Sequence, residues 1–243
     1  MRDWVCGFFM AWGMFLAIPC PRKIWSESAR QKMLVCMPLV GLLAGGVWAG
    51  AWLLLRGAPG PVRAAVCAAA PWLVTGFMHL DGYMDVCDAV LSRRDLATRQ
   101  RILKDSHCGA FAVICMVLLA MAQWSLFLAA EDVSWLGLLL IPAATRACAG
   151  LAVLGLRPMG TSQYAAMGPA RGGYGAALWV LLALSVGLPL WLDGSFGPLA
   201  AAVGYGLAVW YGFRNLDGMS GDISGFALTL GELCGCGAAI LWR

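Results

Sequence analysis

Long apolar runs, separated by short polar stretches, dominate this chain. A helix needs about 20 mainly apolar residues to cross a bilayer. Such runs cover 33–55, 64–80, 109–130, 135–156, 176–192, 195–213 and 223–242. Residues 4–20 form a further apolar run that ends at Pro19-Cys20-Pro21. Pro19 fits a cleavage site poorly and basic residues follow at once, so this run reads as a retained helix, spanning or re-entrant, and not as a signal peptide. The expected fold is all-α: a polytopic transmembrane helix bundle of about seven spans plus this N-terminal helix. With no linker or internal repeat, residues 1–243 read as a single integral-membrane domain.

Composition agrees. Of 243 residues, 61% are hydrophobic and 12% charged, where a soluble domain carries about 25% charge. The ten cysteines are scattered and form no Cys-x-x-Cys pair, so neither a disulfide framework nor structural zinc is expected. Trp and Tyr near the span ends suit a lipid interface, and no nucleic-acid partner is implied.

Seven spans from residue 33 place 21–32, 81–108, 157–175 and 214–222 on one side. Of the 17 Lys and Arg, only Arg56, Arg63 and Arg243 fall on the other side, and Arg2 and Arg146 count for neither. The remaining twelve, Arg171 and Arg214 among them, make the first side cytoplasmic by the positive-inside rule. A bacterial cytoplasmic membrane, with the chemistry facing the cytoplasm, is the expected location.

That side carries the candidate chemistry. Asp81, Asp85 and Asp88 stand at i, i+4 and i+7, on one face of a helix. Carboxylates this close repel unless a cation sits among them, and Mg²⁺ is the simplest partner because it takes oxygen ligands and bridges phosphates. All three are expected as metal ligands. Gly82 leaves room for a phosphate. His79 lies about 160° around the helix from Asp81, as a donor to substrate or a structural imidazole. A second segment, Arg99 to Gly109, offers Lys104 and Ser106 to a phosphate and Asp105 as a further carboxylate. Ser106 looks like the start of the next helix, where free N–H groups bind anions. The alternative is a basic segment meeting anionic lipid. The third is the Gly-rich turn Arg214 to Gly225, with Asp222 as a catalytic carboxylate, or an ordinary turn in which Ser220 or Asp222 caps the helix. Arg146 and Glu232 are charges inside spans, paired with each other or reaching substrate. These residues point to a membrane enzyme acting on a phosphate or pyrophosphate ester.

The same residues resemble the adenosylcobinamide-GDP ribazoletransferase, or cobalamin 5′-phosphate synthase, family. Its His-x-Asp-Gly-x-x-Asp-x-x-Asp pattern is similar to His79–Asp88. Its Lys/Arg-Asp-Ser-x-x-Gly segment is similar to Lys104–Gly109. A late Gly-Gly-x-Thr-Gly-Asp segment followed by Glu resembles Asp217–Asp222 and Glu232, and Pro19-Cys20-Pro21 and Arg146 also have counterparts. The chain departs from the pattern at Arg101 (usually Glu), His107 (commonly Arg), Asp217 (Gly) and Ser220 (Thr). The resemblance implies that a ribose hydroxyl of α-ribazole, or of its 5′-phosphate, attacks the cobinamide-side phosphorus of adenosylcobinamide-GDP. GMP leaves, and adenosylcobalamin or its 5′-phosphate forms. In that setting Mg²⁺ is the expected cofactor. Asp88, Asp105 and Asp222 are catalytic candidates, and His79, Gly82, Lys104, Ser106, Arg146 and Glu232 are substrate-binding ones. A homo-oligomer is left open.

Two other readings compete. A CDP-alcohol phosphotransferase shares the multi-aspartate logic, but its Asp-Gly is followed by Ala-Arg, where this chain has Tyr83-Met84 after Gly82. A cation transporter would place charge near the midplane, in two related halves.

Overall fold

The computed structural model describes residues 2–242 apart from Thr161, Gln163 and 165–171. Arg171 and Arg243, counted above among the basic residues, lie outside the described residues. The described chain is helical: α1 (Arg2–Phe15), α2 (Arg30–Leu54), α3 (Gly60–Val74), α4 (Met78–Leu91), α5 (Leu96–Ile102), α6 (Ala110–Ala129), α7 (Trp135–Gly155), α8 (Tyr174–Asp193), α9 (Gly197–Leu216) and α10 (Gly221–Leu241). Among the described residues the only β pairing is an isolated bridge between Pro158 and Met219.

Five helices are long and apolar enough to cross a membrane: α2, α6, α7, α8 and α10. This is a multi-pass membrane protein. The count rises to six if α3 and α4, bent by 91° at a short break, form one broken span. About seven spans were expected, and the difference has two sources. The apolar run 64–80 is not one straight helix. The chain turns through Gly76 and Phe77, both at positive φ (60° and 63°), and α4 restarts at Met78. Helix α9 has the length of a span, at 20 residues, but not the apolarity. It nonetheless runs the length of the bundle. Its start packs against the end of α10 through Gly197 and Ala239. Its end leads into Met219, whose N–H donates to Arg157 O (2.9 Å) and whose carbonyl accepts from Met159 N–H (2.9 Å).

The N-terminal helix α1 has 14 residues, or about 21 Å at 1.5 Å per residue. That is short of the hydrocarbon core, about 30 Å thick. It lies along α2, where Asp3 pairs with Lys32 at 2.6 Å. The chain after it returns to the α3–α4 break, where Ala17 N–H donates to Val74 O (2.9 Å).

Close backbone approach holds the centre together. Gly41 of α2 faces Pro142 and Ala143 of α7 so tightly that a Cβ would lie 2.5 Å from the Pro142 carbonyl oxygen. Small residues at crossings of this kind are how helices pack in lipid, where apolar burial alone gives no preference for a neighbour. The bundle therefore has two ends. One gathers the Asp95-capped α5, the 103–109 turn, the 156–160 segment and the start of α10. The other gathers the turns at 55–59, 130–134 and 193–196, where Ser134 donates to Asp193 and Arg63 donates to Ala130 O.

Candidate active site

Helix α4 carries the first motif. Its buried residues include His79, Leu80, Gly82, Tyr83, Val86 and Cys87, while Asp81 is exposed and Asp85 and Asp88 are half-buried. The three aspartates thus share the unburied face that their spacing predicts. Asp85 lies within electrostatic reach of Asp81, Asp88 and, from another helix, Asp222.

A pocket of about 330 Å³ joins the first motif to the second. Asp81, Asp85 and Asp88 form one wall, and Lys104, Asp105 and Ser106 form the other. Helix α5 brings the second segment there. Asp95 caps it by accepting from Thr98 N–H at 3.0 Å. Arg99 then donates to Asn215 Oδ1 (3.0 Å) and Gln100 to Leu216 O (2.8 Å), which fastens α5 to the end of α9. These clamps join residues 116 positions apart, so nothing local in the sequence marks them. Asp105 accepts from His107 N–H (3.0 Å) and pairs with the His107 ring at 2.6 Å, and that partnership holds its carboxyl below the usual value of 3.8. His107, the departure from the family's usual Arg, is therefore tied to Asp105.

Two expectations change here. Ser106 does not open the next helix, because α6 begins at Ala110 with Gly109 as its cap. Two of the free N–H groups at that helix start, those of Gly109 and Ala112, are already taken. Both oxygens of Asp88 accept from them, Oδ2 from Gly109 N–H (2.5 Å) and Oδ1 from Ala112 N–H (3.0 Å). A carboxylate at a helix N-terminus is well placed electrostatically. Asp88 thus spends a lone pair on each oxygen holding α6 against α4.

The third motif meets the first through a glycine. A Cβ on Gly82 would lie 2.8 Å from the Asp222 carbonyl oxygen and 2.9 Å from its Cα, so only glycine lets the start of α10 press on α4 here. Asp222 is half-buried, and the cap of α10 is Ser220, which accepts from Ile223 N–H at 3.3 Å. Of the two expected caps, Ser220 is the one that serves, and its hydroxyl also donates to Asp222 Oδ2 (3.4 Å). Asp217, where the family has glycine, adopts the left-handed conformation (φ 59°) that glycine favours. It ion-pairs with Arg157, which removes its added negative charge from the account.

Arg146 and Glu232 are sealed in the bundle, 1% and 6% exposed. Arg146 Nη1 donates to Glu232 Oε1 (2.7 Å) and to Pro142 O (3.1 Å), and Thr145 Oγ1 donates to Glu232 Oε1 (3.4 Å). Of the two roles expected for them, the pairing is the one seen: a charge in a low-dielectric interior needs a partner, and each is the other's. His79 is also buried, 8% exposed, with its ring stacked on Phe15, so it backs the site from inside the bundle.

Among the described residues no three His, Cys, Asp or Glu side chains gather closely enough to hold one metal ion between them. Asp81, Asp85 and Asp222 are hard oxygen donors on facing elements. That donor set fits Mg²⁺, which is usually held by one or two carboxylates together with waters and substrate phosphate.

Residues 7–240 match the family model described as Cobalamin-5-phosphate synthase. The adenosylcobinamide-GDP ribazoletransferase of Clostridium botulinum (strain Alaska E43) is 32% identical across the whole of both chains. Its counterpart in Clostridium perfringens (strain 13) is 33% identical over 93% of this chain and 94% of its own. That of Halalkalibacterium halodurans is 39% identical over 60% of this chain and 58% of its own. No solved structure matches the chain.

Proposed function

The chain belongs to the cobalamin-5-phosphate synthase family, and from that membership and the joined motifs we propose how its residues perform a ribazole transfer. The protein transfers the adenosylcobinamide-phosphate group of adenosylcobinamide-GDP to α-ribazole or its 5′-phosphate. A ribose oxygen forms a bond to the cobinamide-side phosphorus as the bond from that phosphorus to GMP breaks. GMP leaves with the bonding pair, and the hydroxyl proton passes to a carboxylate. The observation that supports this reading best is the single pocket shared by Asp81, Asp85, Lys104 and Ser106.

Each residue then has a role. Asp81 and Asp85 would hold Mg²⁺, which when bound would offset charge on the pyrophosphate and on the leaving GMP. Lys104 meets a phosphate as a point charge and Ser106 donates to it. Asp222 accepts the hydroxyl proton. Asp105 holds His107 beside the phosphates. Asp88 positions the site by fixing α6 on α4. We place this end of the bundle at the cytoplasmic face of a bacterial cytoplasmic membrane, because nearly all the basic residues outside the spans collect there.

The test uses purified protein in nanodiscs, given adenosylcobinamide-GDP and α-ribazole 5′-phosphate with Mg²⁺ or with EDTA. GMP and a corrinoid product should appear together, and only with Mg²⁺. Turnover of a CDP-activated lipid alcohol in place of the corrinoid would overturn the reading. Cysteine labelling at positions in 92–108 from the outside would overturn the orientation.

A further inference from the structure

Beside the acidic pocket lies a second cavity, of about 460 Å³, which shares Leu103 and Lys104 with it. Its wall draws methionines from four separate parts of the chain: Met14 of α1, Met33 and Met37 of α2, Met78 at the start of α4, and Met159. Trp25, Phe15 and Tyr164 add aromatic rings to that wall. Methionine is flexible and polarisable, and its sulfur makes favourable contacts with aromatic rings. A wall of this kind suits a flat, apolar, aromatic guest. The polar lining is of a different origin. Lys104 comes from the segment that lines the acidic pocket, Ser220 and Asp222 come from the start of α10, and Arg30 adds a second cation from the first turn of α2. The volume is in the range of small-molecule sites. It suits a nucleoside or nucleotide and is too small to enclose a corrin macrocycle with its side chains.

We propose that this methionine-lined cavity is the acceptor subsite: it takes the methylated bicyclic base of α-ribazole, with the ribose turned toward Asp222. Arg30 and Lys104 meet the 5′-phosphate when the acceptor carries one. The corrinoid donor then approaches from the acidic pocket, with Lys104 at the boundary between the two substrates. This assignment rests on the ribazole-transfer reading above.

Met33→Phe and Met37→Phe would fill the cavity without touching the carboxylates. In GMP-release assays the KM for α-ribazole 5′-phosphate should rise about tenfold or more, while that for adenosylcobinamide-GDP stays within about twofold. Wild-type protein supplies the second measurement, in case either variant fails to fold. Free 5,6-dimethylbenzimidazole should inhibit competitively against α-ribazole 5′-phosphate and not against adenosylcobinamide-GDP. A rise confined to the donor's KM, or competition against the donor, would assign the cavity to the GDP moiety and overturn the proposal. So would variants and free base that leave both substrates unaffected. If wild-type protein releases no GMP from the two substrates, the transfer reading itself has failed, and the subsite falls with it.

Discussion

Two sets of charged side chains lie in one bundle, and the fold treats them in opposite ways. Arg146 and Glu232 meet at 2.7 Å in the interior, with Pro142 and Thr145 completing the network. Among the described residues Asp81, Asp85 and Asp222 form no ion pair with a protein cation; Lys104 lines the pocket of Asp81 and Asp85, and the neighbouring cavity of Asp222, without bonding to any of the three. A buried charge pair is held by its own partner, although Arg146 keeps an unpartnered buried Nε–H. A like-charge cluster open to solvent leaves its repulsion to be relieved by something that binds. The first arrangement marks structure and the second marks a site.

Variants of each set should fail in different ways. Glu232→Gln leaves Arg146 buried without a counter-charge and should lower stability by about 3–5 kcal/mol. Thermal unfolding in detergent reads this, and replacing both residues together by apolar ones should restore much of the loss. Unchanged unfolding with lost activity would break the comparison by moving the pair into the site. Asp85→Asn should do the reverse, keeping the unfolding temperature while GMP release falls at least about a hundredfold, the scale of losing a group that stabilises transition-state charge. Near-normal turnover would remove Asp85 from the site.

Smaller effects sharpen the boundary. Gly82→Ala forces a methyl against the Asp222 backbone; overpacking of this kind costs about 1–3 kcal/mol, and activity should drop with it as Asp222 moves away from Asp85. Asp88→Asn tests the capping role. It should lower stability by about 1 kcal/mol, as loss of a helix cap does, and reduce turnover much less than Asp85→Asn. A loss equal to that of Asp85→Asn would return Asp88 to the metal-binding set. The weakest effect belongs to Asp105, which is exposed. Its carboxyl is depressed by His107, so the stabilisation is present above its unfolded value of 3.8 and is lost as pH falls through the lower folded value. NMR titration should show Asp105 returning toward 3.8 in His107→Ala.

The candidate site is legible in the chain where its spacing is local. Aspartates at i, i+4 and i+7 share a helix face whatever that helix packs against, and the Lys104–Gly109 motif lies within one turn. Asp88 shows the limit of such reasoning. Its spacing matched that of its neighbours, but its oxygens went to the start of α6, whose position depends on how a later helix docks. Asp217 had no local explanation because its partner, Arg157, lies 60 residues away. The break at Gly76–Phe77 escaped notice because apolarity runs through it without interruption.

The class of molecule therefore follows from the chain alone. Apolar runs of bilayer length require helices, since backbone groups in lipid must satisfy one another, and the clustering of charge distinguishes the two ends of the bundle. Closure of the buried pair, capping of α6 by Asp88, and convergence of five methionines on one cavity depend on contacts between distant segments. Such contacts arise from side-chain fit between helices, and helix periodicity carries no record of which faces will meet.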